Sequence, residues 1–420
     1  MATMAQVLAR GVLPAADLQR ELAVSPATLM RMVRAEGDAV VRVGRARATR
    51  YGWRQPWQGL AHTEFPLVRV SEAGTPVQEG HLITLAGGDS ALMPQGDTQH
   101  GLPLELVDNR PAGFLGRHFA LRVTELQLPD RLDGWSDHHI LLALSRRGED
   151  LTGNLIVGDE SFARWQAMPL TRHTRADYPQ LAEASMAGNP PGSSAGGERP
   201  KFGAFVDDRH VLVKFAARGQ DTDVVARRWC DLLVFEWHAL QVIAADGIHA
   251  SAAELLMFPT HVCLEVERFD RVGLRGRRGL MSLAAVHDNL GDSWSTAAAR
   301  LLAARRISAD DARRLRWLDA FGVCIGNTDR HPFNVAFLRD DAGNWRLAPA
   351  FDPVSMFYAP AADGRVRTPD LPLPIATAAM LDVWDDARLA AREFWRRAAD
   401  DDRVSDELRA AAARNAMVVE

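Results

Sequence analysis

Three side chains in the second half of the chain carry the groups that phosphoryl transfer requires. The stretch GNTDRHPFNVAFL at 326–338 places a carboxylate at Asp329 and an amide at Asn334, five residues on. LAPAFDPVS at 347–355 adds a second carboxylate at Asp352, eighteen residues beyond Asn334. Apolar runs flank each part, so this cluster of Asn, Asp, Arg and His belongs at the edge of a core, in a cleft. Transfer from ATP needs one Asp to accept or orient the incoming hydroxyl, and an Asn with a second Asp to hold magnesium against the phosphates. Asp329 alone reads as a turn or cap residue. The spacing of all three groups, with their apolar flanks, points to chemistry instead.

Lysine usage points the same way. Of 49 Lys and Arg residues only Lys201 and Lys214 are lysine. A chain that fills its cationic sites with arginine keeps lysine where a compact ammonium is needed as a point charge on phosphate. Both lie beside the glycine-rich segment PPGSSAGGERPKFGAF. There Ala195, Gly196 and Gly197 let backbone N–H groups turn inward on an anion, and Lys201 adds charge. The spacing is neither GxGxxG nor Walker A, and many Pro-Gly-Ser stretches are plain connections.

The elements around these residues strengthen the reading. KFGAFV, a DDRH turn and VLVKF predict a hairpin with Lys214 near the end of its second strand. A glycine loop leading into such a hairpin is how a kinase-type amino-terminal lobe covers ATP. ARRWCDLLVFEWHALQVIAADGI predicts a helix with Leu233, Trp237, Leu240 and Ile243 or Ala244 on one face. Glu236 within it either pairs with Lys214 or stands solvated on the helix surface. HVCLEVERFDR at 261–271 predicts a strand ending in charges, a hinge whose backbone reads adenine while Asp270 reaches the ribose.

Taken in order, SSAGGERPKF, VLVKF, FEWHAL, LEVERFDR, GNTDRH..N and FD resemble the HipA family of serine/threonine kinases, the toxin parts of bacterial toxin–antitoxin modules. LELVDNRPAGFLGRHFA at 104–120 is similar to that family's amino-terminal region, and the fused segment before it looks most like the YjjJ-type branch. The resemblance implies Asp329 as the catalytic Asp, Asn334 and Asp352 as magnesium ligands, and Lys214 on phosphate. It places the 195–201 loop over the nucleotide, Glu267, Arg268 and Phe269 at adenine, Asp270 at ribose and His331 in the nucleotide-proximal loop. It implies ATP and Mg2+ as cofactors and a protein substrate with a Ser/Thr acceptor, such as an aminoacyl-tRNA synthetase or another translation factor. It also implies either a separate antitoxin partner or a fused amino-terminal segment that takes over the antitoxin's DNA-binding role, and self-inhibiting autophosphorylation at a loop serine. Ser193 and Ser194 both occupy that place, and Ser193 is favoured by its distance from the glycine pair.

Charge and composition set the frame. A net charge of −5 gives no global attraction to nucleic acid or to an anionic membrane. Cys230, Cys263 and Cys324 stand singly within apolar runs, as core residues of a reducing compartment rather than a disulfide framework or zinc site. No apolar run approaches a spanning helix and no signal-peptide pattern opens the chain, so a cytoplasmic protein without membrane contact is expected.

Residues 1–55 differ from the rest, with nine arginines against four acids. TMAQVLARG, AADLQRELAV and SPATLMRMVRAEG predict three short helices, the third opened by Ser25 and Pro26. VVRVGRARATRYGW predicts a basic hairpin. The pattern is a winged helix-turn-helix, which presents Arg31 and Arg34 from its third helix and Arg42, Arg45, Arg47 and Arg50 from its wing to DNA; protein docking is the other use of such a module.

The expected architecture is α+β: a winged helix at 1–55, a β-rich subdomain and nucleotide lobe at 56–270, and an all-α lobe with the catalytic loop at 271–420. Two other functions compete with the protein kinase. One is a DNA-binding transcriptional regulator whose kinase-like domain senses nucleotide. The other is a small-molecule kinase of the antibiotic-phosphotransferase kind. The intact Asp329, Asn334, Asp352 and Lys214 set speaks against the first, and the serine-bearing loop against the second.

Overall fold

A computed structural model describes residues 2–419 apart from 189–198, 220–221, 288 and 340–343. Ser193, Ser194, Ala195, Gly196 and Gly197 therefore lie outside the described residues. The chain divides into two compact units, one running to Pro169 and one from Leu170 onward.

The first unit begins with helices Met4–Leu8, Ala15–Leu22 and Pro26–Glu36. Thr3 and Gln6 close a capping box on the first. Ser25 caps the third by accepting the Thr28 N–H at 3.3 Å, with Pro26 in the first turn where its missing donor costs nothing. Strands Val40–Val43 and Arg50–Trp53 follow, and the two-residue strand Leu13–Pro14 pairs with the second of them. Alternation along Val40–Val43 sorts its side chains between two cores. Val40 packs with Leu8, Leu18, Leu29 and Tyr51, whereas Val41 and Val43 pack with Ile83, Leu85 and Ala91.

Ile83 and Ala91 belong to a five-stranded antiparallel sheet, and Leu85 follows its longest strand. The sheet order is Asp97–His100, Asp89–Met93, Pro76–Thr84, Glu64–Val70, Leu155–Val157. Helices Gly113–Arg122, Asp137–Arg147 and Asp159–Ala167 complete the unit. Phe119, Leu141 and Leu144 from the first two close a core over Phe65, Leu67 and Leu82 of the sheet. The β-rich subdomain expected from residue 56 onward is thus strands only as far as His100, apart from Leu155–Val157, and mostly helices from there to Met186. HHILLALSRR has a helix's apolar spacing, and Ser136 caps it in a capping box with His139.

In the second unit, four antiparallel strands are ordered Ala253–Met257, His261–Glu267, Arg209–Ala217, Lys201–Val206. The hairpin turn is two residues long, because Val206 pairs directly with Arg209. Asp207 and Asp208 both take positive φ, 49° and 60°, as a type I′ turn demands. Helix Val224–Ala245 crosses the sheet; Asp223 caps it through the Ala226 N–H at 2.9 Å, and no Gly or Pro interrupts its 22 residues. Its other side joins helices Trp294–Ala303, Ala309–Cys324, Trp384–Asp400 and Asp406–Val418 in one core around Phe235, Trp317, Phe321, Phe394 and Trp395.

The region beyond 271 is not all-α, as its sequence had implied. Strands Gly279–Ser282, Ala336–Arg339 and Trp345–Leu347 form an antiparallel sheet, with the shorter pair Arg271–Val272 and Gly276–Arg277 before it. This sheet carries the chain from the Asn334 loop to Asp352. Among the described residues no helix is long and apolar enough to cross a membrane.

Candidate active site

Alternation along the hairpin decides where the lysines point. Phe202, Ala204, Val211, Val213 and Phe215 face one core with Tyr178. Lys201 and Lys214 are therefore on the opposite face, directly across from each other in register. Helix Val224–Ala245 lies on that side and presents Glu236. Lys214 Nζ donates to Glu236 Oε1 at 2.5 Å and to Asp352 Oδ1 at 2.6 Å. Lys201, Lys214 and Glu236 are all buried.

Burial pushes the Glu236 carboxyl up to about 7, against the pull of Lys214. Burial works to lower the Lys214 ammonium, but Asp352 and Glu236 outweigh it and hold the group above its ordinary value. Asp352 is held below the usual carboxylate range: burial opposes this, and Lys214 and then Lys201 prevail. Two ammonium groups thus face two carboxylates, three of the four side chains buried and Asp352 keeping a part-exposed edge. Removing one partner would leave an uncompensated buried charge, a loss on the order of 3–5 kcal/mol.

Asp352 has φ of 59°, the left-handed region, and the residue after it is a proline. Residues before proline ordinarily stay extended, so this backbone is strained, and strain of this kind gathers at working sites. The segment is held from both sides: Ala350 N–H donates to His249 O at 2.8 Å, and Ser251 N–H donates to Ala350 O at 2.9 Å.

Helix Ala309–Cys324 delivers the loop that follows it, through Gly326 at φ 68°. Asn327 Oδ1 accepts the Asp329 N–H at 2.9 Å, and Asn334 Nδ2 donates to the Asp329 carbonyl at 2.8 Å. With its nitrogen committed, Asn334 keeps Oδ1 as a donor atom for a cation. His331 Nδ1 accepts the Phe333 N–H at 3.2 Å, so the ring proton sits on Nε2, 3.7 Å from Asp329 Oδ1. Asp329 is 52% exposed. Burial of its inner side raises its carboxyl, His331 opposes the rise and Asp352 adds to it.

At this point the comparisons with known proteins bear on the site. A family model described as HipA-like C-terminal domain matches residues 193–417, more than half of the chain. A second, YjjJ-like toxin, middle domain, matches 61–166. Toxin YjjJ of Escherichia coli (strain K12) is 34% identical over 434 residues, covering 97% of this chain and 95% of that protein. The chain belongs to the HipA family of toxins, in its YjjJ branch. HipA of Shewanella oneidensis MR-1, solved in a complex with HipB and its operator DNA, superposes with a TM-score of 0.50 at 16% identity. The match covers 84% of this chain and 95% of that one, a likeness of fold.

The remaining expected site residues of this HipA-family chain fall into two groups. Phe269 packs its ring 5.5 Å from that of Phe351, the neighbour of Asp352. Glu267 instead pairs with Arg209 at 3.2 Å. Asp270 is buried, with its carboxylate taken by Arg268 at 2.8 and 3.0 Å and by Arg271 at 2.6 Å. The six arginines expected at DNA belong to the first unit. Arg31, Arg34, Arg42, Arg45, Arg47 and Arg50 are all exposed, and among the described residues none makes an ion pair.

Two residues at the site escaped the reading of the sequence. Asn327 is 2% exposed, and the Asn-Thr-Asp order was its visible signal, a side chain placed to accept the N–H two residues on. Arg199 lies with its guanidinium over the Trp229 ring, and burial lowers it to about 10 against the attraction of Asp352. It lies in the 195–201 loop expected over the nucleotide, where its residue type alone did not single it out.

Proposed function

We propose that this HipA-family toxin is an ATP- and magnesium-dependent protein kinase that phosphorylates a serine or threonine of a cellular protein, a translation factor such as an aminoacyl-tRNA synthetase. The observation that carries the reading is Lys214, buried and bonded at once to Glu236 and Asp352. Glu236 fixes the ammonium where phosphate oxygens would replace one of its partners. Asp329, half exposed on its loop, orients the acceptor hydroxyl and takes its proton.

Magnesium fits the donors present. Asn334 and Asp352 offer oxygen atoms, and among the described residues no group of three or more His, Cys, Asp or Glu forms a metal cage. An ion that draws most of its ligands from water and substrate phosphates needs no such cage. Bound there, it would neutralise charge on the transferring phosphoryl group. The division of labour we infer places the nucleotide lobe within 56–270 and the catalytic loop in 271–420. Self-phosphorylation of Ser193 or Ser194 would silence the enzyme by adding charge to the loop that covers the nucleotide.

Residues 1–55 we assign to a winged helix that binds DNA through Arg31, Arg34, Arg42, Arg45, Arg47 and Arg50. The relative solved with HipB and operator DNA supports DNA and an antitoxin as partners. This feature also favours the second reading, a DNA-binding regulator with a nucleotide-sensing domain. Phosphoproteomics of cells expressing the wild type or Asp329→Asn separates the two. The kinase predicts Ser/Thr phosphosites in one protein or a few that vanish in the variant; identical phosphoproteomes with identical growth arrest would favour the regulator.

A further inference from the structure

The loop that bears Asp329 is held by a side chain to which the kinase reading gives no task. Arg330 turns back onto helix Ala309–Cys324, where its Nε donates to Asp319 Oδ1 at 3.1 Å. Its Nη1 donates to the carbonyl of Asn327. Asp319 is 2% exposed, and its other oxygen accepts the Ser295 N–H at 3.0 Å and the Ser295 hydroxyl at 2.7 Å. The stem of Arg330 crosses the helix at Gly322, where an added Cβ would lie 2.6 Å from Arg330 Cδ. Pinned at both Nε and Nη1, the stem cannot step aside from such a methyl group and keep both bonds. Asn327, gripped through its carbonyl, in turn offers Oδ1 to the Asp329 N–H.

We propose that the Arg330–Asp319 ion pair, seated on Gly322, is the positioning device that sets Asp329 against the acceptor hydroxyl. The proposal rests on the role given above to Asp329. A loop between a helix end and a short strand has no ladder of its own to fix it, and phosphoryl transfer tolerates little misplacement. A charge-assisted bond to a buried carboxylate that is itself tied to a second helix supplies the missing rigidity. Arg330 and Asp319 act through Asp329 and need touch neither ATP nor the acceptor.

The test uses the full-length chain with Asp319→Asn, Arg330→Ala, Arg330→Lys and Gly322→Ala. Two quantities are read: hydrogen exchange across 326–334, and ADP formation from magnesium-ATP. The positioning role predicts faster exchange confined to that loop, and a kcat lower by roughly tenfold to a hundredfold. KM for ATP should stay within about twofold. Arg330→Lys, which keeps a cation within reach of Asp319, should recover part of the kcat lost in Arg330→Ala. Gly322→Ala is the sharpest variant, because alanine favours the helix. It should lower kcat at least as much as Arg330→Ala does, while the helix propensity gained offsets part of the stability lost with the displaced ion pair.

Unchanged exchange and kcat in a folded Arg330→Ala protein would overturn the proposal. So would losses that fall equally on kcat, KM and melting temperature in every variant. Should the loop loosen while the wild type forms no more ADP than Asp329→Asn, the positioning of the loop stands and the kinase assignment fails.

Discussion

Lys214 is confined by two carboxylate contacts of 2.5 and 2.6 Å inside a buried site, which makes the size of its head group the first thing to vary. A planar guanidinium spreads its charge over a wider fork and cannot sit where a compact ammonium bridges two acids. Lys214→Arg should therefore weaken magnesium-ATP binding by roughly tenfold or more, read by calorimetry, although the charge is unchanged. Lys214→Ala should lower the unfolding free energy by about 3–5 kcal/mol in urea titrations, since it strands two carboxylates. Retained affinity in the first variant and unchanged stability in the second would remove Lys214 from the centre of the site. The rarity of lysine in this chain made both residues legible beforehand. The left-handed backbone of Asp352 was not legible, because a single φ depends on anchors at His249 and Ser251, about a hundred residues away in sequence.

Among the elements, helix Val224–Ala245 does the most to position the site, and its fastening suggests a pH experiment. His238 on this helix meets Asp401 at 2.7 Å, and Asp401 also receives Arg403. Burial would raise the Asp401 carboxyl, yet the bonds from Arg403 and His238 bring it down to about 2. Its folded value lies below the unfolded value of about 3.9. The contribution is therefore complete above about pH 4 and is lost as pH falls towards 2. Between those limits the wild type should lose more stability than Asp401→Asn; parallel stability curves would contradict the assignment.

The hairpin and this helix were readable because their signals are local, a polar turn between two apolar runs and an unbroken apolar face, although the turn expected over DDRH is only Asp207 and Asp208, with Arg209 and His210 already in the second strand. The small sheet beyond 271 was not. Its strands Gly279–Ser282 and Ala336–Arg339 pair across more than fifty residues, and the third has only three. Periodicity cannot establish pairing at that range, and Ala/Leu/Arg-rich flanks mask segments so short. The helices of 104–186 were hidden for a related reason, since turn residues between them resemble the breaks between strands.

For the whole molecule, the sign of charge is unevenly spread. Among the described residues, Arg31, Arg34, Arg42, Arg45, Arg47 and Arg50 make no ion pair on a surface where many other arginines are paired. Val41 and Val43 pack onto the neighbouring sheet, so the intact chain, and not an excised segment, is the proper object for binding studies. In fluorescence anisotropy its affinity for duplex DNA should fall steeply with salt. Changing Arg42, Arg45, Arg47 and Arg50 together to Ala should flatten the log–log slope by roughly 3–4 and weaken all sequences alike. Changing Arg31 and Arg34 should alter sequence preference instead. No binding at low salt by the folded chain would turn this region into a protein-docking module.

Phosphoryl transfer, the role proposed for Lys214, Glu236, Asp329, Asn334 and Asp352, is open to direct measurement. The most direct measurement incubates purified full-length protein with γ-labelled ATP and magnesium beside a lysate of its own host cells. The wild type is compared with Asp329→Asn. The wild type should place label on serine or threonine, and the variant should lose at least about a hundredfold of that rate while still binding ATP. Equal labelling by the two proteins, or none by a wild type that binds magnesium-ATP, would contradict it.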